Sequence, residues 1–282
     1  MSVDAEQVEL RPVRGPSALG GGWRRFGELL YLISVTEFKK TYFGTVLGYL
    51  WSVLRPLLLF AVLLFVFTKI VRIGSGVPHY PVLLLMNVVL FGFFSEATSA
   101  SVMSVVTQEG VVRKTQFPRL VIPLSVVLTS LFNLAVNLIV VLIFVVAFGV
   151  SPQWTWLLFP LVVVGLFIFA TALSMLLSSL YVRFRDTAII WSVVASALFY
   201  ATPVIYPIEV VPERYRDVIL LNPLTALFEQ ARKWVIDPSA PGAVSAAGGW
   251  THLLPGIAIF LATCVLGAWY FNRAAPRIAE EL

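Results

Sequence analysis

Between Leu120 and Val182 the chain carries no Asp, Glu, Lys or Arg, and the same holds from Thr187 to Ile208 and from Pro238 to Asn272. Runs this long and this apolar decide the fold class before any motif is read. A bilayer span takes roughly 20 apolar residues. Lipid offers no partner to a backbone N–H or C=O, so each span must close its own hydrogen bonds as a helix. A membrane barrel would need alternating strands of about ten residues, and stretches such as NLIVVLIFVVAF do not alternate. Composition agrees: the 282 residues are 59% hydrophobic and 12% charged, where a soluble domain carries about 25% charge.

The expected architecture is an all-α polytopic membrane protein with six spans. They lie near Leu50–Val71, Pro81–Val105, Leu120–Phe148, Trp154–Tyr181, Ala188–Tyr206 and Leu253–Phe271. Residues 1–22, polar and rich in Gly and Pro without the apolar core of a signal peptide, read as a disordered cytoplasmic tail. With the N-terminus inside, most Lys and Arg, Arg55 among them, fall on the cytoplasmic side. Lys69, Arg72, Arg214, Arg216, Arg232 and Lys233 fall outside. This asymmetry predicts both termini in the cytoplasm. The net charge of +5 then marks cytoplasmic loops and anionic headgroups rather than nucleic acid.

Two segments do not read as spans. Residues 23–49 predict a helix lying on the cytoplasmic leaflet. Trp23, Phe26, Leu29, Leu30 and Ile33 recur at helical spacing, and Arg24, Arg25, Glu28, Glu37, Lys39 and Lys40 supply a polar side. The long outer segment 207–252 contains ERYRDVILL and LTALFEQARKWVI, each too short to cross. They suit short helices dipping back into the membrane, with Asn222 capping a helix that Pro223 begins. The following DPSAPGAVSAAGG reads as a flexible loop tip.

Chemistry-bearing residues are sparse. No phosphate-binding GxxxxGK[ST], HExxH or GxSxG is present. His79, His252 and the lone Cys264 are scattered and make a poor metal set. No catalytic, cofactor or metal role is assigned. Glu96 is the ionisable residue placed deep in a span, where such a group faces the protein interior or water. It is read as structural or lumen-facing, with a proton relay as the lesser alternative. Asn133 and Asn137, four apart, share one helix face suited to interhelical hydrogen bonds. Phe199 and Tyr200, with Tyr206 beyond Pro203, cluster near the outer end of the fifth span. They suit an interfacial belt and a channel gate equally, and Pro203 should bend or end the helix.

Residues 106–118 and the residue after them join the second and third spans on the cytoplasmic side. Gly110 can break one helix and Pro118 can start the next. Phe117 stands as an apolar knob among Arg113, Lys114 and Arg119. An aromatic flanked by arginine suits a protein docking element as well as an ordinary loop.

TVLGYLWSVLRPL, GVVRKTQFPRLVIPLS and TPVIYPIEVVPERYRDVILLNPLTALFEQAR, in this order, resemble the ABC-2 type permeases that export bacterial cell-surface polysaccharides such as O-antigen and teichoic acid. Lys40-Thr41-Tyr42 stands where that family commonly has Arg-Tyr. The resemblance implies a single transmembrane domain over residues 23–282 and a coupling helix matching Thr107–Pro118 that docks on a separate ATPase. It also implies outer gating helices within Pro207–Ile236. The assembly would hold two permeases and two ATPases, with ATP and Mg on the partner and no cofactor on this chain. The cargo would be a lipid-linked polysaccharide, an actinobacterial wall galactan being one candidate. An ABC-2 permease for a drug or small lipid is the alternative. An ion-coupled flippase or a membrane-embedded enzyme is a further one.

Overall fold

A computed structural model describes residues 22–42, 48–72, 76–108 and 119–281, whose regular elements are all helices with no strand among them. The helices are α1 (Gly22–Tyr42), α2 (Leu50–Phe65, continued by a π turn over Val66–Ile70), α3 (Tyr80–Thr107) and α4 (Val121–Ala147). They continue as α5 (Phe159–Arg183, entered through a 3-10 turn at Trp154–Leu158), α6 (Thr187–Ala201), α7 (Glu213–Leu220), α8 (Pro223–Val235), α9 (Ala243–Ala246) and α10 (Trp250–Glu281). Five of these segments are long and apolar enough to cross a membrane: Leu50–Ile70, Tyr80–Thr107, Val121–Ala147, Trp154–Arg183 and Trp250–Ala274.

The expected fifth span differs. Its helix stops at Ala201 and is only 15 residues long, about 22 Å at the α-helical rise. Pro203 is the cause. It lacks an N–H and pushes the preceding residue out of the helical region, and Thr202 is extended at φ −92° and ψ 144°. The chain then runs non-helical to Pro207, buried but for the half-buried Tyr206. Its carbonyls find side-chain partners from α3: Tyr80 Oη donates to the Ile205 carbonyl at 2.7 Å, and Asn87 Nδ2 to that of Pro203 at 2.9 Å. Irregular backbone at membrane depth is tolerated when protein satisfies it in this way.

α3 is the central post. Every residue from Val82 to Phe91 is buried, and α2, α4, α5 and α6 all pack on it. A helix apolar on all sides belongs in the middle of a bundle. α10 closes on α5 at very short range: a Cβ on Gly267 would stand 2.2 Å from the Ala172 carbonyl oxygen. Small residues permit such approach where lipid provides no hydrophobic drive.

α1 is a helix as expected, but one face is occupied by protein. Ser34 is fully buried; its hydroxyl donates to the Ser125 carbonyl at 3.2 Å, and Thr129 donates to the Ser34 carbonyl at 3.2 Å. Phe38 stacks on Tyr49 and meets Phe132 edge-on. The helix is described to Tyr42 rather than to 49, and a turn at Gly48 (φ +51°) leads into α2.

Candidate functional site: a polar groove beneath an outer hairpin

A groove of about 1080 Å³ runs along α3. Its floor is the α3 face from Val88 to Ser99, its walls are α2 and α6, and α4 contributes Asn133, Leu134 and Asn137. α2 packs on α3 and α4, and α6 on α3 and α5, so the groove opens sideways between α2 and α6. Gly92 lies in the floor, where an added Cβ would meet nothing within 4 Å. On α6, Ser192, Ser196 and Tyr200 recur every four residues and line one wall.

Glu96 opens onto this groove and not onto the core. It lies about 24 Å along α3 from Tyr80 and about 17 Å from Thr107. Asn133 Nδ2 donates to Glu96 Oε1 at 2.6 Å. Asn137 Nδ2 donates to the Asn133 carbonyl at 2.9 Å and to the Ser52 carbonyl at 3.1 Å. The two asparagines thus act between helices, as their spacing suggested.

Arg55, expected among the cytoplasmic charges, lines the groove within electrostatic reach of Glu96. The Asn137–Ser52 bond explains why. It holds the start of α2 against a point about 24 Å along α4, so Arg55 lies one turn deeper still. Charge position along the chain could not reveal how far α2 is offset from α4.

The aromatic cluster divides. Phe199 and Tyr200 line the groove, with Phe91 5.2 Å from Phe199 between ring centres. Tyr206 donates back to the Tyr200 carbonyl at 2.9 Å, and Pro203 is buried. Both therefore hold the bend outside the lining.

The segment 207–252, expected on the outer side, forms a hairpin. Asn222 caps α8 by accepting from the Leu224 N–H at 3.1 Å, with Pro223 in the first turn. Asn222 Nδ2 also donates to Thr202 Oγ1 at 2.7 Å. At the other end of α8, the Trp234 and Val235 carbonyls accept from Thr155 and Trp156, at the start of the fourth span. Leu224 and Phe228 are in the core, and Leu227 rests on Gly165. The α7–α8 turn is therefore tied through Asn222 to Thr202, whose neighbour Pro203 accepts from Asn87, about 10 Å along α3 from its start. The region expected to be a flexible tip is instead packed. It contains α9, the Ala243 N–H donates to Gln230 Oε1 at 3.0 Å, and Ala246 and Ala247 join Ile208, Leu220 and Leu253 in a small apolar cluster.

One cluster there had no signal in the sequence. Arg232, buried in α8, donates to Glu209 Oε2 at 2.7 Å and lies 3.5 Å from Glu229 Oε2. Glu229 accepts from the Ile208 N–H at 3.0 Å. Burial pushes the Glu229 carboxyl up from 4.5 to about 7, against the opposing pull of Arg232. His252 pairs with Asp217 at 2.8 Å on the exposed side of α7.

At the opposite end, Gly110, Arg113, Lys114, Phe117 and Pro118 lie outside the described residues. The feet of their segment are described. Val105 and Ile122 pack with Val182 from the end of α5, and the Arg119 carbonyl accepts from the Ile122 N–H as α4 begins. Of the expected interfacial residues, Trp23, Arg24, Arg25, Phe26, Lys39 and Lys40 all lie in α1. Arg24 pairs with Glu28, and Lys40 with Glu37.

A model of the ABC-2 type transporter family matches residues 28–235, which span the groove, the hinge segment and the hairpin. The chain belongs to the ABC-2 type transporter family. Similar curated proteins include the O-antigen export system permease protein RfbA of Klebsiella pneumoniae, 32% identical over 258 residues, 90% of this chain and 95% of that one. RfbA of Myxococcus xanthus is 33% identical over 201 residues, 71% of this chain and 76% of that one. The polysialic acid transport protein KpsM of Escherichia coli is 25% identical over 245 residues, 86% of this chain and 90% of that one. Family and spans together make this ABC-2 transporter a multi-pass membrane protein and a transport subunit.

Proposed function

We propose that this ABC-2 permease moves a polyprenyl-linked cell-surface glycan, of the O-antigen, teichoic acid or wall galactan class, from the cytoplasm across the bacterial inner membrane. ATP is hydrolysed on a separate subunit, which holds the nucleotide and Mg. Two permeases and two ATPases form the exporter, and both termini of the permease face the cytoplasm. The observation that carries the reading is the groove. It offers hydroxyl, amide and charged groups from Ser192, Ser196, Asn133 and Glu96, with the rings of Trp51, Phe199 and Tyr200 beside them. Sugars present hydroxyls at their edges and apolar faces to rings, so this mixed lining suits them. The O-antigen permeases among the relatives support the same class.

In this reading a second copy covers the open side between α2 and α6. Closure of the ATPases pushes the hinge around Phe117 and Arg119, and its feet at Val105 and Ile122 transmit the push to α3, α4 and α5. The α7–α8 hairpin then parts at the outer mouth.

The test is depletion of the protein in its host, with lipid-linked glycans measured in the membrane extract. The expected result is accumulation of a long glycan on a polyprenyl carrier, whose sugars then name the cargo. Normal surface glycan with no accumulation would overturn the reading in favour of a drug or small lipid.

A further inference from the structure

Among the described residues lining the groove, only Arg55 and Glu96 carry charge. They stand on facing helices, α2 and α3, within electrostatic reach of each other. Both residues are exposed and both line the groove. Glu96 is held in place by Asn133 on α4, and Asn137 pins α4 to the start of α2. The carboxyl is therefore a positioned group, about midway along α3, that a cargo running the length of the groove must pass.

We propose that Glu96, balanced by Arg55, is a specificity-determining residue that restricts the cargo to glycans with uncharged repeat units. The inference rests on the glycan-export reading above and narrows it to the neutral glycans, which sets the anionic teichoic acids aside. A sugar hydroxyl can donate to the carboxyl and accept from Arg55, so a neutral chain finds partners at each repeat. A uronate or sialate at the same place meets a like charge, or must drive a proton onto Glu96 first, and both raise its barrier. Like charges a few ångströms apart in a partly wet site repel strongly. Removal of the Glu96 charge would leave the groove net positive and remove this barrier.

The experiment uses the permease expressed with its own ATPase in a strain lacking its native exporter. That strain builds one of two glycans on the same polyprenyl diphosphate carrier: a neutral mannose homopolymer, or a chain with a glucuronate in each repeat. Surface glycan is measured per permease in the membrane. The native protein should favour the neutral chain by about tenfold or more, and Glu96→Gln, which keeps an acceptor for Asn133, should bring the two within a few-fold of each other. Glu96→Asp, which keeps the charge, should retain the preference and so separates charge from packing. Equal export of both chains by the native protein, a preference for the glucuronate chain, or a ratio unmoved by Glu96→Gln would overturn the inference while leaving glycan export standing. Failure to export either chain would overturn the export reading and this inference with it.

Discussion

Single side chains set the α7–α8 hairpin. Arg232 bridges two carboxyl groups from different segments, the half-exposed Glu209 and the buried Glu229. Removing one partner of such a set leaves uncompensated charge behind. Arg232→Ala should lower stability by about 3 kcal/mol, read as a fall in the unfolding midpoint of the purified protein in detergent. The pH dependence follows from Glu229, whose folded value of about 7 stands above the ordinary 4.5. A raised acid binds its proton more tightly in the folded state, so its contribution to stability is present at low pH and is lost as pH rises from about 4.5 through about 7. Above that window the carboxylate is charged in both states, and the curve flattens. Glu229→Gln should remove this slope, and a midpoint series across pH checks it. None of this was legible in the sequence, because Glu209 and Arg232 are distant in the chain and only the fold brings them to 2.7 Å.

At the scale of elements, the close contacts of α10 discriminate between glycines that look alike in sequence. Gly267 has the Ala172 carbonyl 2.2 Å from where a Cβ would stand, and this obstacle is backbone that cannot rotate away. Gly267→Ala should cost about 1–3 kcal/mol through separation of α5 from α10. Gly92→Ala faces open groove and should leave stability within about 0.5 kcal/mol. Unfolding midpoints of the two variants make the comparison. The elements themselves were readable where length and apolarity agreed: the observed spans follow the predicted ones within a few residues, apart from the fifth. The break there was legible in Pro203. Which residues would satisfy the broken helix was not, since Tyr80 and Asn87 look like ordinary members of an apolar run.

At the scale of the whole molecule, the hairpin is tied to the end of α6 by the Asn222–Thr202 hydrogen bond at 2.7 Å. If the outer mouth must part for cargo to leave, a covalent tie at this point should stop it. In a Cys264→Ala background, the pair Thr202→Cys and Asn222→Cys should form a disulfide on oxidation and reduce surface glycan by at least about tenfold, with recovery on reduction. Export unaffected by a fully formed crosslink, verified by mobility under non-reducing conditions, would mean that the mouth opens elsewhere. Both single cysteine variants serve as controls for loss of the cap itself, worth about 1 kcal/mol.

The sequence by itself determined that this chain spans a membrane as helices, where those helices run, and which family it resembles. These properties follow from local apolarity, from proline and asparagine at helix ends, and from short contiguous motifs. The tertiary structure decided what faces what. The offset of α2 against α4 placed Arg55 opposite Glu96, the packing of α1 on α4 buried Ser34, and the return of α8 against α5 assembled the outer ion cluster. Each depends on the registration of helices far apart in the chain. An apolar run of even character carries no mark of that registration, because any of its faces could be turned to lipid or to a neighbour.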